Sequence, residues 1–572
     1  VVGQALTALR PTVTGQVDRY TVSPALPAGV VLDPTTGVIS GTPTAAAQST
    51  AYVVQASNVG GSSSYTLQFS VGTVDMVSGA TVNRTVVAGT AIYFEVVIKP
   101  RYLTFTGTLY ASAADPDHVL ATPVSVTPNS DGSFTLEVST SNAAAVGTYA
   151  GTATLQLCSD ASCNTLQAVP SVTANYTLAV RQWVEDWPGD HLTTLTPWRD
   201  APDWQTFQGN AAHTGFVPVT VVPDDLTTRW QRPVDRNVAS GLVANLATIA
   251  TSNGLYYISG ANAVQARSEA DGSLVWSHDF SNLLFPSANP PAVANGTVYV
   301  AAGQQDSTYF YAFDAATGAV RFHAPMASQW ENYLAPTVGP LGVYTNAGYF
   351  GGAYGFTSAG QPLFFAPLEQ QDVWTPAVDT DSVYAYTGYA LTVLDASTGQ
   401  RRGSIADPMG HTAFPEVGGS VVLGGPHSAF AAQYSNSLFT ASGVHNSLEH
   451  FDTAAMAIDW SVDGVYPRTP AYRDGVVYAV NNSPLQLEAR SESNGGLLWT
   501  WTPPGVDELG FISEVLLTNT LAFVSTARAT YAVDLGTHKA VWSFPVSGNL
   551  ALSASGILYV EGPASLTAFN AK

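Results

Sequence analysis

The stretch "SEADGSLVW", Ser268–Trp276, sets a small polar turn directly ahead of an apolar strand that ends in Trp. Near copies run down the chain: "DAATGAVRF" to Phe322, "FTSAGQPLFF" aligned at Phe364, "DASTGQRRG" to Gly403, "DTAAMAIDW" to Trp460, "SESNGGLLW" to Trp499 and "DLGTHKAVW" to Trp542. Upstream of each turn stands a second marker, a short strand of the form "G-x-V-Y", at 254, 296, 342, 382, 420, 475, 521 and 556. Self-similarity at a period of about 40 residues means stacked copies of one β unit, each burying its apolar face against the next.

Eight marker strands accompany only seven complete turn-to-aromatic units. The mismatch resolves if the sheets close on themselves. "LTAFNAK" begins an eighth turn at Asn570, and "TTRWQRP" around Trp230 is an outer strand with no turn before it. Pairing the two completes the last unit and removes free strand edges. The expectation for 204–572 is therefore an eight-bladed β-propeller closed by N- and C-terminal strand pairing.

Composition agrees with an all-β chain. Only 11% of the 572 residues are charged, and Gly, Pro and Tyr are abundant. Net charge is −22, with 5 basic against 9 acidic residues up to position 180 and 15 against 33 beyond. No basic patch survives that balance, so nucleic acid and anionic membrane surfaces are poor partners. No apolar run approaches the roughly 20 residues of a membrane helix. A signal peptide or lipid anchor, if any, is expected upstream of Val1.

Ahead of the repeats, 1–72 alternates as short strands separated by Pro and Gly turns, the pattern of a small β-sandwich. Pro27, Gly29, Gly37, Gly41 and Pro43 set its corners, with Val31, Val38 and Ile39 offered as its buried face. A second sandwich is expected over 73–180, from "AIYFEVVI", "SFTLEVST", "GTYAGTATLQLC" and "ANYTLAV". Cys158 and Cys163 are the only cysteines, placed near the ends of two strands across a four-residue turn. A cross-strand disulfide is plausible there, favouring an extracytoplasmic compartment; free thiols are the alternative. The connector 181–203 and the residue after it hold four Trp and three Pro, too aromatic for a free linker, and are expected to pack on the C-terminal repeats.

Two resemblances attach to particular segments. "LPAGVVLDPTTGVISGTPT", Leu26–Thr44, resembles the Ig-like domains found in tandem on bacterial surface proteins, which implies a spacer or adhesive module. "DWQTFQGNAAHTGF", Asp203–Phe216, followed by repeats of the form "A-x-D-x-x-T-G-x-x-x-W", resembles the PQQ-like, or quinoprotein-type, propeller repeat. That resemblance implies that Asp314, Gly318, Asp395, Gly399 and Asp534 hold the turns, while Trp276, Trp460, Trp499 and Trp542 stack between blades. Ser268, Phe322, Phe364 and Gly403 depart from the pattern, so the first four blades are expected to be less uniform. Enzymes of the family carry a quinone and Ca²⁺, often beside a disulfide of adjacent cysteines. Here the cysteines are neither adjacent nor in the propeller, and the propeller is short. Propellers of this size are similar to the lipoprotein scaffold of the outer-membrane protein assembly machinery, which binds proteins and no quinone. No cofactor is expected.

Catalytic motifs are missing: neither "G-x-S-x-G" nor "H-E-x-x-H" nor a Walker loop occurs. His411, His427, His445 and His450 cluster in the longest repeat interval, but their spacings follow no compact ligand pattern. The loops entering each blade's first strand, marked by Pro291, Pro336, Pro376, Pro415 and Pro470, are expected to converge on one face. They carry the candidate ligand face: Trp330, Glu331, Tyr333, Asp372, Trp374, His411, Phe414, Tyr466, Arg468, Asp507, Glu508 and Phe511. Aromatics beside carboxylates suit a peptide anchor or sugar stacking. The expected function is a non-catalytic extracytoplasmic or cell-surface binding protein whose partner is a protein, with a surface glycan, a secreted enzyme and a self-assembling fibre as the alternatives.

Overall fold

The computed structural model describes the chain apart from 183, 190–191, 235–248, 261, 281–286, 305–306, 329–333, 370–373, 408–416, 419, 433, 436–445 and 505–508. It divides into two compact units, Val1–Trp183 and Val184–Lys572. Regular structure is β throughout, with short 3-10 turns and no helix, among the described residues, long and apolar enough to cross a membrane.

The first unit holds four β-sheets among the described residues. Strands β1 (Arg19–Ser23), β4 (Ala47–Asn58) and β5 (Gly61–Val71) form one sheet in the order β1-β4-β5, and β2 (Val30–Leu32) pairs with β3 (Ile39–Gly41). Their small core is Tyr20, Val30, Ile39, Tyr52 and Val71. Val31, expected inside, is 61% exposed, because alternation along β2 turns Val30 inward and its neighbour outward. The turn between β2 and β3 is held by Asp33, whose Oδ1 accepts from the backbone N–H groups of Thr35 (2.8 Å) and Thr36 (3.1 Å).

The second sandwich is fuller. Strands β6 (Thr73–Ser78), β7 (Thr81–Val87), β8 (Tyr93–Arg101), β9 (Tyr110–Ala114), β10 (Ser125–Pro128), β11 (Phe134–Ser139), β12 (Gly147–Cys158) and β13 (Val172–Arg181) make two four-stranded sheets, β10-β11-β8-β6 and β7-β13-β12-β9. Alternating Val, Ile and Leu from both, such as Val96, Ile98, Leu136, Leu155 and Leu178, fill the space between. Cys158 and Cys163 are bonded. The geometry differs from the expected cross-strand pair: Cys158 ends β12, whereas Cys163 lies in the loop after it. That loop is held by Asp160, whose carboxylate accepts from the N–H groups of Ser162, Asn164 and Thr165.

In the second unit, repeats become sheets. Eight sheets of four or five antiparallel strands succeed one another among the described residues. One strand from each, beginning at Ala250, Ala292, Thr337, Ala377, Val421, Ala471, Leu516 and Asn549, touches the next in chain order. The last sheet takes its fourth strand from the start of the unit: β14 (Thr227–Pro233) pairs antiparallel with Ser565–Asn570. Connector residues pack on this sheet. Trp187 and Gln231 exchange backbone hydrogen bonds of 2.9 Å, and the Thr193 carbonyl accepts from Arg229 Nη2 at 2.8 Å.

The repeated motif finds its reason across neighbouring sheets. The aromatic at the end of one repeat lies beneath the turn of the next. Trp276 Nε1 donates to the Ala315 carbonyl (2.9 Å), and a Cβ on Gly318 would sit 2.6 Å from its ring. Only glycine allows that approach, and its φ of +72° suits the turn as well. Trp460 donates in the same way to Glu492 O (2.7 Å), and Trp230 to Glu269 O (3.0 Å). Phe322 and Phe364 take the same place beneath Gly360 and Gly399. At Gly403, where the aromatic is missing, the next turn carries Met456 in place of glycine. Its thioether fills the gap, with Sδ 2.6 Å from where a Gly403 Cβ would be. The departures from the repeat are thus compensated pairwise. The second unit is a β-propeller built from PQQ-like repeats.

Candidate functional site

The segment "DWQTFQGNAAHTGF", read from sequence only as a family marker, runs around the inside of the first strands and ties them together. Its carbonyls accept in turn from the N–H groups of successive sheets: Trp204 O from Thr251 (2.7 Å), Gln205 O from Val293 (2.8 Å), Ala211 O from Val378 (2.8 Å), Ala212 O from Leu423 (2.9 Å), Thr214 O from Tyr472 (2.9 Å) and Gly215 O from Leu517 (2.7 Å). Thr206 Oγ1 adds a bond to Pro336 O at 2.6 Å, and Phe207–Gly209 touches the last sheet. The belt therefore meets each of the eight four- and five-stranded sheets of the unit among the described residues. Such a path needs sharp bends, and Gln208 (φ +53°) and His213 (φ +58°) both hold left-handed backbone.

The side chains of the belt close the interior. Gln208 is buried, and its Nε2 reaches Pro470 O at 3.0 Å. His213 is fully buried, with Nδ1 3.1 Å from Val421 O and Nε2 2.9 Å from Thr337 Oγ1. Burial pushes its pKa down to about 3, so the imidazole is neutral; an Nδ1–H donating to Val421 O leaves Nε2 to accept from Thr337. Thr375 Oγ1 continues this polar layer to Ala335 O (2.8 Å).

The candidate ligand face resolves only in part. Trp330, Glu331, Tyr333, Asp372, His411, Phe414, Asp507 and Glu508 lie outside the described residues. Trp374, Tyr466 and Phe511 are buried in the packing between sheets, where their rings offer no face to a ligand. The pattern of apolar strand, aromatic and Pro that marked them is the pattern of core filling at a strand's approach. Arg468 alone keeps partial exposure, and its buried Nε has no hydrogen-bond partner among the described residues. It lies close to Glu514, whose carboxyl is pushed up by burial and eased back by the guanidinium. Of the histidine cluster, His411 and His445 are outside the described residues and His427 is exposed. His450 is packed between Phe430 and Trp460, with Nε2 2.8 Å from Ser428 Oγ and Nδ1 3.2 Å from Asp459 Oδ2.

Sequence reading missed two buried carboxyls at one repeat position. Glu488 accepts from Gln486 (2.7 Å), Asn481 (3.0 Å), Tyr466 (2.8 Å) and Arg490 (2.6 Å). Burial raises its pKa, but these donors together outweigh it and the carboxylate is held below its ordinary value. Glu449 sits at the same place in the preceding repeat, where Phe451 replaces the arginine. Burial, and then Asp407 nearby, push its carboxyl well up, so it carries a proton at neutral pH. The signal was present: both acids stand three residues before the turn, in "LEHFD" and "LEARS".

Among the described residues, no three His, Cys, Asp or Glu side chains gather as metal ligands. Gln208 and His213 of the belt are bonded to Pro470 O and Thr337 Oγ1, and Glu488, on the third strand of its sheet, is engaged by Arg490 and its other donors. What the geometry does provide is an interior tied to the surrounding sheets by the hydrogen bonds of the belt.

A β-propeller of PQQ-like repeats preceded by an Ig-like domain is the class that this architecture defines. Residues 217–500 match the family described as outer membrane protein assembly factor BamB, and residues 2–72 match the family described as "Putative Ig domain". Among solved structures, the chain is similar to BamB from Moraxella catarrhalis, at 15% identity and a TM-score of 0.47, covering 60% of this chain and 99% of that one. It is also similar to the computationally designed Ika8 protein (12% identity, TM-score 0.44, 57% and 96% covered) and to Saccharomyces cerevisiae Sqt1 (10%, 0.42, 57% and 96%). No curated protein matches the chain.

Proposed function

We propose that this protein is a non-catalytic binding or assembly protein of the bacterial surface or envelope, whose propeller is a protein-interaction platform presented by Ig-like spacers. The observation that carries the reading is the match of 217–500 to the family described as outer membrane protein assembly factor BamB. Two features of the chain support it. The belt of 204–219 spends the interior on structure, which leaves the rims and edges for partners. The disulfide in the second sandwich suits an oxidising compartment outside the cytoplasm. In the same reading the eight sheets are the blades of one closed ring, with β14 and Ser565–Asn570 as its joint.

The test is site-specific photo-crosslinking in cells, with the photoreactive residue at Glu514 beside Arg468. Discrete adducts with envelope proteins are expected. Oxidation of an alcohol or sugar by purified protein supplied with pyrroloquinoline quinone and Ca²⁺ would overturn the reading in favour of a secreted quinoprotein. Hydrolysis of a glycan would overturn it in favour of a carbohydrate-active enzyme.

A further inference from the structure

Two repeats carry nearly the same strand and turn, "QARSEADGSLVW" from Gln265 and "EARSESNGGLLW" from Glu488. Their registers coincide: Ala266 pairs with Trp276 as Ala489 pairs with Trp499, with the same irregularity at Arg267 and Arg490. Both arginines hold their turn alike. Arg267 Nη1 donates to Gly272 O at 3.0 Å, and Arg490 Nη1 to Gly495 O at 2.9 Å. The other side of the guanidinium is where they part. Arg490 Nε donates to the Glu488 carboxylate at 2.6 Å, whereas Arg267 Nε meets the neutral amide of Gln265 at 2.9 Å. No acidic side chain pairs with Arg267 among the described residues.

The surroundings have changed with the acid. Gln486 and Asn481 crowd Glu488 and donate to it at 2.7 and 3.0 Å. By register, Ala263 and Gly260 stand in their places. On the preceding sheet, Arg232 occupies the position of Val462, the first paired with Leu566 and the second with Leu448. Where the larger side chains are lost, a cavity of about 480 Å³ opens between the last sheet and the first, with Arg232, Tyr256, Gly260, Ala263, Gln265 and Arg267 on its wall. That volume is in the range of sites for small organic molecules.

The charge of this cavity runs against that of the chain, whose net is −22. Burial raises the Tyr256 phenol, and the Arg267 charge and then the Arg232 charge ease it back, so both guanidiniums act on one part of the wall. Arg232 is engaged on its outer side, with Nη1 2.8 Å from the exposed Asp186 carboxylate and Nη2 donating to Asp271 O. Asp279, the one acidic residue of the described lining, pairs with Ala263, four residues and about 13 Å along the strand from Arg267. Set beside the repeat of Glu488, what the cavity lacks is a carboxylate at Arg267.

We propose that the cavity between the last sheet and the first binds an organic carboxylate, whose anionic group sits beside Arg267 as the Glu488 side chain sits beside Arg490. A charge-assisted bond of this kind is shorter and stronger than the one Gln265 supplies. Arg232 adds a second positive charge from the opposite wall. The body of the ligand takes the room that Gln486 and Asn481 fill in the other repeat, against Tyr256 and Ile258. A free small acid and the C-terminus of a peptide present the same group to Arg267, and their size separates them.

The experiment is calorimetric titration of the whole chain, at fixed ionic strength, with acetate, N-acetyl-trialanine and the amide of that peptide. Gln265→Glu places the missing carboxylate inside the chain, on the pattern of Glu488 beside Arg490; it should melt no lower than the parent while shutting the ligand out. Both carboxylates are expected to bind the parent, and to bind Gln265→Glu and Arg267→Gln at least tenfold more weakly. The amide should bind the parent at least tenfold more weakly than its acid. Tenfold tighter binding of the peptide acid than of acetate assigns the site to peptide C-termini, and equal or tighter binding of acetate assigns it to a free acid. Absence of binding by both carboxylates, an amide as tight as its acid, or binding undiminished in Gln265→Glu would overturn the proposal.

Discussion

Gly403 and Met456 exchange roles with the aromatic and glycine of the other repeats, and their coupling can be measured. Restoring the aromatic alone, Gly403→Trp, drives an indole into the thioether that already fills the site, since Met456 Sδ lies 2.6 Å from the added Cβ. Overpacking of this kind costs about 1–3 kcal/mol. Restoring the glycine alone, Met456→Gly, removes a side chain that is 37% exposed and leaves a gap over Gly403. It also relieves a left-handed residue at φ +51°, worth about 1–2 kcal/mol, and the two effects nearly cancel. Together the substitutions rebuild the stacking of Trp276 beneath Gly318. The double variant should therefore be at least as stable as the parent, with a coupling energy of about 2 kcal/mol or more. Urea unfolding of all four proteins, followed by tryptophan fluorescence, measures it. Effects that add to within about 0.5 kcal/mol would refute the argument that turn and aromatic are matched across neighbouring sheets.

Three further outcomes are expected. Trp230→Ala at the joint between β14 and the first sheet removes a fully buried indole and its bond to Glu269 O; calorimetry should show a loss of about 3–5 kcal/mol, larger than for the half-exposed Trp499→Ala, and equal losses would argue against a tight joint. Glu449 has a raised folded pKa, so its contribution is full below its ordinary value of 4.5 and is lost as pH rises through the folded pKa; Glu449→Gln should flatten the decline in melting temperature on the alkaline side, and an unchanged pH profile would count against the protonated carboxyl. His213 titrates in the opposite sense: its folded pKa of about 3 lies below the ordinary 6.5, so its contribution is full above pH 6.5 and lost as pH falls toward 3. His213→Gln should therefore lower the slope of stability against pH across that window, and an identical slope would refute burial of a neutral imidazole.

Repeat period, turn chemistry and apolar alternation were legible along the chain because they are local: a turn needs its Asp and Gly, and a strand needs its alternation, wherever the neighbours lie. The all-β class, the propeller repeats, the Ig-like segment and the bonding of Cys158 to Cys163 come from such features. The candidate face shows where this kind of reading stops. Trp374, Tyr466 and Phe511 look like ligand-binding aromatics in a loop, yet only the convergence of neighbouring sheets decides that they face inward. Val31 and Val30 are indistinguishable by composition, and the facing strand settles which one is buried.

The contacts decided by tertiary structure join residues far apart in sequence. His213 bonds to Thr337 and Val421, Glu449 meets Asp407 rather than an arginine, and Met456 answers the missing aromatic at Gly403. Local sequence by itself determines which units this protein is built from, since turn and strand preferences act over a few residues. Their mutual arrangement, and with it every protonation state and every free surface, depends on burial and on partners that arrive from elsewhere in the chain.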